Sequence, residues 1–304
     1  MTPFRPGRPR RGRLVRLGVV LDPQTALARL RDVAAMCDRA GVDAVWVHDR
    51  VGGSDTVRLD TLTALRVAAA ETSRIRVGAL VDPARRPLAQ LVAAASEIDV
   101  ATGGRLELGF TAGAVENAAD LSVPATRAAL EATSPQPGGP PIGVEARDLA
   151  ETALAVATAD DVVLPPRPRE RTAGALIEIR EACDAAGRDP ATLGVGIVLP
   201  VSIGRTSAEA RARAYADPGF GALGDLAAVG IVGSLEDCQR RVLELAHAGV
   251  TDIRCIVPAT PDVHDVIAQL TSMVVGTTTQ LTAGAPPSPA PPPPPGWGGR
   301  SRAP

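Results

Sequence analysis

Val15-Arg16-Leu17-Gly18-Val19-Val20-Leu21-Asp22-Pro23-Gln24 is the stretch that decides the fold class. Val15 to Leu21 reads as a strand with apolar residues on both faces, as parallel strands buried between layers have. A doubly wound open sheet would follow it with a G-x-G-x-x-G turn. Here Asp22-Pro23 follows, with proline placed for the first turn of a helix and no glycine. A closed barrel is therefore favoured over an open sheet.

The same alternation continues along the chain. Further strands are expected at Ala44–Val47, Ile75–Val81, Leu106–Phe110, Ile142–Glu145, Asp161–Leu164, Val195–Ile203 and Ile253–Val257. Helical patterns lie between them: Thr25–Ala40, Leu59–Glu71, Pro87–Thr102, Pro124–Ala132, Asp148–Thr158, Arg171–Ala186, Ser207–Ala216 and Leu235–Ala248, with a last helix near Asp262–Met273. Gly41, Gly187 and Gly249 stand where helices end. About eight strand–helix units in a chain of 304 residues predict a single (β/α)8 TIM barrel. The barrel is expected over 14–275, a disordered basic segment over 1–13 and a disordered proline-rich tail over 276–304.

Composition narrows the function classes. The formal net charge is −2. The segment up to Arg16 is basic and the body that follows is acidic, which argues against a nucleic-acid partner. No apolar run reaches the ~18–20 residues needed to span a bilayer, so no membrane role is expected. All 32 basic residues are arginine, so lysine Schiff-base aldolases are excluded. Cys37, Cys183, Cys238 and Cys255 form no C-x-x-C pair and read as reduced thiols of a cytoplasmic protein. His48, His247 and His264 lack ligand spacing, so no metal site is expected.

In a barrel of this kind the site lies at the C-terminal ends of the strands. His48 is the one histidine at such an end and the best acid/base candidate, with Asp49 and Arg50 beside it. Gly109 to Gly113 is a run of mostly small residues where a flat ring could approach the backbone. Gly103-Gly104-Arg105 falls on the opposite face and reads as a turn with a stabilising arginine. Ser234 reads as a helix N-cap, and that helix start is a phosphate candidate that Glu236 and Asp237 would disfavour.

Several blocks together resemble the luciferase-like oxidoreductases. Ala40-Gly41-Val42-Asp43-Ala44-Val45-Trp46-Val47, then Asp49, is similar to their second-strand signature. Glu71 to Gly78 is similar to their approach to strand three, and Glu97 to Gly109 to their most recognisable block. Pro140-Pro141-Ile142 resembles strand five, and Ile231 to Asp237 with Ala248 to Asp252 the last unit. The resemblance implies a cofactor in the barrel mouth, either reduced FMN or the deazaflavin coenzyme F-420. It also implies monooxygenation or hydride transfer on a small-molecule substrate. A flavin reductase and a second copy of the chain are the implied partners.

By the same resemblance, His48 and Glu116 are the catalytic candidates. Asp49, Arg50, Thr111, Ala112, Gly113, Glu145 and Ala146 are the cofactor-binding candidates. The mouth departs from the family pattern, which has Asp-His where this chain has Asp49-Arg50. Thr111 stands for a glycine, Ala114 for an aromatic, and Glu145 brings a negative charge near the implied phosphate. The stretch 111–141 is shorter than the usual insertion, and Trp46, Phe110, Tyr215 and Phe220 are among few rings able to stack on a flavin. These departures imply an alternative: a catalytically degenerate barrel acting as a binding or partner protein.

Overall fold

The computed structural model describes residues 15–22, 27–49, 59–111, 123–221, 223–258 and 263–284. Nine strands are described: β1 (Arg16–Leu21), β2 (Ala44–His48), β3 (Arg76–Val81), β4 (Leu106–Phe110), β5 (Ile142–Glu145), β6 (Asp161–Leu164), β7 (Gly194–Gly204), β8 (Ile231–Ser234) and β9 (Asp252–Ile256). The helices are α1 (Leu27–Ala40), α2 (Thr61–Ala70), α3 (Leu88–Ala101), α4 (Val123–Glu131), α5 (Leu149–Thr158), α6 (Arg169–Ala186), α7 (Ser207–Tyr215), α8 (Pro218–Gly221), α9 (Leu226–Val229), α10 (Leu235–His247) and α11 (Val263–Gly284). All strand pairings are parallel. β1 to β7 pair in sequence, β7 pairs β9, and β9 returns to β1, which closes an eight-strand barrel.

The expected eight strands thus form the ring, and β8 is an addition to it. β7 is longer than the ring requires. Gly196 to Pro200 pair with β9, and Val201 to Gly204 pair with β8. The change of partner falls just after Pro200, which has no N–H to give to a ladder. The last helix, expected to end near Met273, runs on to Gly284. No proline interrupts it before Pro286, so position 275 falls inside a helix.

The two faces of the strands carry different chemistry. Leu17, Val19, Val45, Val47, Val77, Ala79, Leu106, Leu108, Ile253 and Cys255 face outward and share one core with the helices. On α1 the buried residues Leu30, Val33, Ala34, Met36 and Cys37 keep helical spacing toward that core. The alternate positions face the barrel interior. There Val20, Ala44 and Trp46 form a small separate cluster with Ile256. Charged groups also face the interior. Arg16 Nη2 lies 2.7 Å and Arg76 Nε 3.0 Å from Glu107 Oε1, and Arg254 Nε lies 2.9 Å from Asp252 Oδ2.

Interior glycines make room for this. A Cβ at Gly18 would meet the Trp46 indole at 2.8 Å, and one at Gly78 would meet it at 2.4 Å. At the lower end, Gly103 and Gly104 have φ of 66° and 85°. Arg105 then ties that turn to β3 through Ile75 O at 2.6 Å and Thr72 O at 2.8 Å, the stabilising role read from the sequence.

Candidate active site at the barrel mouth

His48 closes β2 on the interior parity of Ala44 and Trp46. It is buried, and its Nε2 makes no hydrogen bond. Its ring stands edge-on to Trp46, with centroids 6.3 Å apart and planes at 75°. On the indole sits the Arg254 guanidinium, 3.5 Å from the ring centroid. Burial, then the nearby Arg254 charge, push the His48 pKa down to about 3. The imidazole is therefore neutral near pH 7 and can serve as a hydrogen-bonding group.

His48 aligns with Leu80, Leu80 with Gly109, and Gly109 with Gly143, forming one row across β2 to β5. Leu80 leans over Gly109, since a Cβ there would lie 2.8 Å from Leu80 Cδ1. Thr111 is one pleat further toward the mouth. Its N–H donates to Val81 O at 2.9 Å, and its buried Oγ1 has no partner. Seven buried side-chain atoms lack a partner among the described residues, and six belong to Trp46, His48, Glu107, Thr111, Asp252 and Arg254. Unpaired buried polar atoms are costly and rare, so their concentration along one barrel axis marks the site.

Other expected site residues serve the scaffold. Asp49 has the opposite parity to His48 and turns away from the axis. Its Oδ2 accepts from Asp82 N–H at 2.6 Å and Arg86 Nη1 at 3.0 Å, and its Oδ1 accepts from Thr61 Oγ1 and from Arg86 Nη2 at 3.3 Å. Arg86 also holds Asp60, the N-cap of α2, at 2.8 Å. Asp49 is thus a clasp joining β2, β3 and α2. Ala146 packs into the outer core; its N–H donates to Val163 O at 2.9 Å and its carbonyl accepts from Arg167 Nη2 at 2.7 Å. Both of its backbone groups are engaged, so it is not free to receive a phosphate. Glu145 closes β5 and is partly exposed. Glu116, Arg50, Ala112 and Gly113 lie outside the described residues.

The proposed stacking rings are likewise dispersed. Phe110 is in the outer core, Phe220 packs with Ala214 and Leu226, Tyr215 is exposed, and Trp46 is already covered by Arg254. The start of α10 is filled from within. Asp237 Oδ2 accepts from Ser207 Oγ at 2.6 Å, Ser234 Oγ at 2.8 Å and Ser234 N–H at 3.3 Å, and Asp237 N–H donates to Ser234 Oγ at 3.3 Å, which completes a capping box. Those hydroxyls and Arg240 hold its carboxyl well below the usual carboxylate range, so a phosphate there would meet a fixed negative charge.

A groove of about 640 Å³ opens between the first turns of α5 and α6, lined by Arg147, Arg167 and Arg171 but also by Asp148 and Glu178. It lies outside the ring of strands, away from the unpaired atoms, and its charge is mixed. Sequence reasoning missed Arg254 and the Trp46 stack. The available signal was charge at interior positions of otherwise apolar strands: Arg16, Glu107, Asp161, Asp252 and Arg254. No cluster able to hold a metal ion occurs among the described residues, and no described helix is long and apolar enough to cross a membrane.

Comparison with known proteins agrees with the geometry. The family model described as luciferase-like monooxygenase matches residues 14–131 and 125–223. No curated protein matches at a significant level. Among solved structures, the coenzyme F-420 dependent tetrahydromethanopterin reductase from Methanopyrus kandleri is similar at TM-score 0.68 and 18% identity, covering 86% of this chain and 99% of that one. A monooxygenase from Streptomyces bottropensis gives TM-score 0.68 and 19% identity, covering 88% and 100%. A riboflavin lyase solved with modified FMN and riboflavin gives 0.67 and 14%, covering 89% and 92%. At these identities the structural likeness concerns the fold.

Proposed function

The chain belongs to the luciferase-like monooxygenase family, and from that premise we propose that it is an oxidoreductase using reduced FMN or the deazaflavin coenzyme F-420 on a small organic substrate. One observation carries the proposal: His48 Nε2 and Thr111 Oγ1 are buried, unpartnered and on the interior parity at the barrel mouth. A flat heterocycle with polar edges fits them. Gly109 and Gly143 present no side chain in that row, and Leu80 supplies an apolar floor.

A bound cofactor of this kind would supply electrons for oxygen chemistry or a hydride. The protein's part is orientation and exclusion of water. Thr111 Oγ1 would donate or accept one hydrogen bond at the ring edge. Neutral His48 would hold a proton on one ring nitrogen and offer a lone pair on the other, which suits hydrogen-bonded orientation and transient proton acceptance. Glu116, the other catalytic candidate, is proposed as the second acid/base group. A second copy of the chain, a flavin reductase and a cytoplasmic setting belong to the same proposal.

Anaerobic titration of the purified chain with each reduced cofactor tests it. Saturable binding of one cofactor is expected, weakened about 5- to 10-fold by Thr111→Val, the cost of one lost hydrogen bond. No saturable binding of either overturns it. A second reading, a barrel that binds without turnover, is favoured by the structural engagement of Asp49 and Ala146. Tight binding with no oxidoreductase turnover would select that reading.

A further inference from the structure

Asp252, Arg254, Trp46 and His48 form a column rising along the barrel interior toward the mouth. Asp252 Oδ2 accepts from Arg254 Nε at 2.9 Å, the guanidinium lies 3.5 Å from the indole centroid, and the indole meets the imidazole edge-on. Arg254 is 1% exposed and its Nη1 has no partner. Gly18 and Gly78 admit the indole, and Gly196 leaves Arg254 room, since a Cβ there would touch Nη2 at 3.5 Å. Packing alone does not require a buried guanidinium with an unpaired nitrogen at this place.

We propose that Arg254 is a positioning residue for the mouth: it clamps Trp46 beneath His48, and its buried charge adds to burial in favouring the neutral imidazole that offers Nε2 to the mouth. The use of His48 at the site rests on the function proposed above, whereas its state in the ligand-free chain does not. Among the described residues the other interior charges are Arg16 on β1, Arg76 on β3, Glu107 on β4, Glu145 at the end of β5, Asp161 on β6 and Asp252 on β9, and β7 brings none. Glu107 is engaged by Arg16 and Arg76, and Asp252 by Arg254. Asp161 is itself held toward its protonated form by burial and by Glu107. On the strand of His48, Asp49 faces away and is neutralised by Arg86. Arg254 is the charge that bears on His48, and one of its nitrogens remains without a partner.

Imidazole NMR on the ligand-free chain tests this, with exposed His247 and His264 as internal references. His48 is expected to stay neutral at about pH 5, where an ordinary histidine is mostly charged. Arg254→Met should raise its midpoint, while burial still holds it below the ordinary 6.5, and Arg254→Lys should keep it at low pH. If Arg254→Met does not fold, the double variant Asp252→Asn/Arg254→Gln removes both charges without stranding either and should give a smaller rise in the same direction. A wild-type His48 that titrates near the ordinary 6.5, or folded charge-removal variants that leave its midpoint in place, would overturn the proposal. Neither result depends on cofactor binding, so it can fail while the proposed function stands, and the reverse.

Discussion

An alanine at position 78 would put its Cβ 2.4 Å from ring carbons of Trp46, which is buried and pinned by Arg254. The indole has nowhere to retreat, so Gly78→Ala should destabilise the fold by about 1–3 kcal/mol, the usual cost of overpacking, in urea unfolding. An unchanged midpoint would mean the ring can shift. Asp49 carries a different expectation. Asp49→Ala leaves Arg86 with Asp60 as its remaining ion pair and frees the Asp82 N–H, so a loss of about 1–3 kcal/mol is expected in the same assay. Parity made part of this legible in the sequence. Strand alternation expects Asp49 on the side opposite to His48, although the family resemblance marks it as a cofactor-binding residue rather than a clasp. Arg254 was not legible as a site residue. Its partner Trp46 is remote in sequence, and only barrel closure stacks them.

Among the elements, the eight ring strands were readable because each is an apolar run flanked by helical periodicity. β8 was not, because Ile231 to Ser234 is a short run directly abutting the cap of α10, and its pairing needs the overhang of β7 beyond Pro200. The cap itself was readable: Ser234 precedes an apolar-periodic helix and is followed at the third position by Asp237. Ser234→Ala should cost about 1 kcal/mol in unfolding experiments. It should not create phosphate affinity, because Asp237 remains at the helix start; phosphate binding there in either protein would contradict the internal-anion picture.

For the whole molecule, the charged interior sets a pH dependence with two opposing parts. The His48 pKa is lowered from 6.5 to about 3, so the unfolded chain binds more protons between those values and stability rises with pH there. The Asp161 pKa is raised from 3.8 to about 7 by burial and then Glu107, so the folded chain binds more protons and stability falls as pH rises through that window. Each slope is at most about 1.4 kcal/mol per pH unit. Asp38 and Glu107, held low by hydrogen bonds and neighbouring arginines, act only below the ordinary carboxylate range. The wild-type chain should therefore show a nearly flat profile from about pH 4 to 6.5. His48→Gln should turn it into a decline and Asp161→Asn into a rise, both measurable by urea midpoints across that range. Flat profiles in both variants would refute the opposing pair. Trp46 is the only tryptophan among the described residues; Trp297 is the other in the chain. With Trp297→Phe, ultraviolet emission would come from a single indole at the centre of the barrel, beneath the mouth. A flavin or deazaflavin settling above it would absorb that emission by resonance transfer, so the molecule carries an optical gauge of occupancy that needs no label.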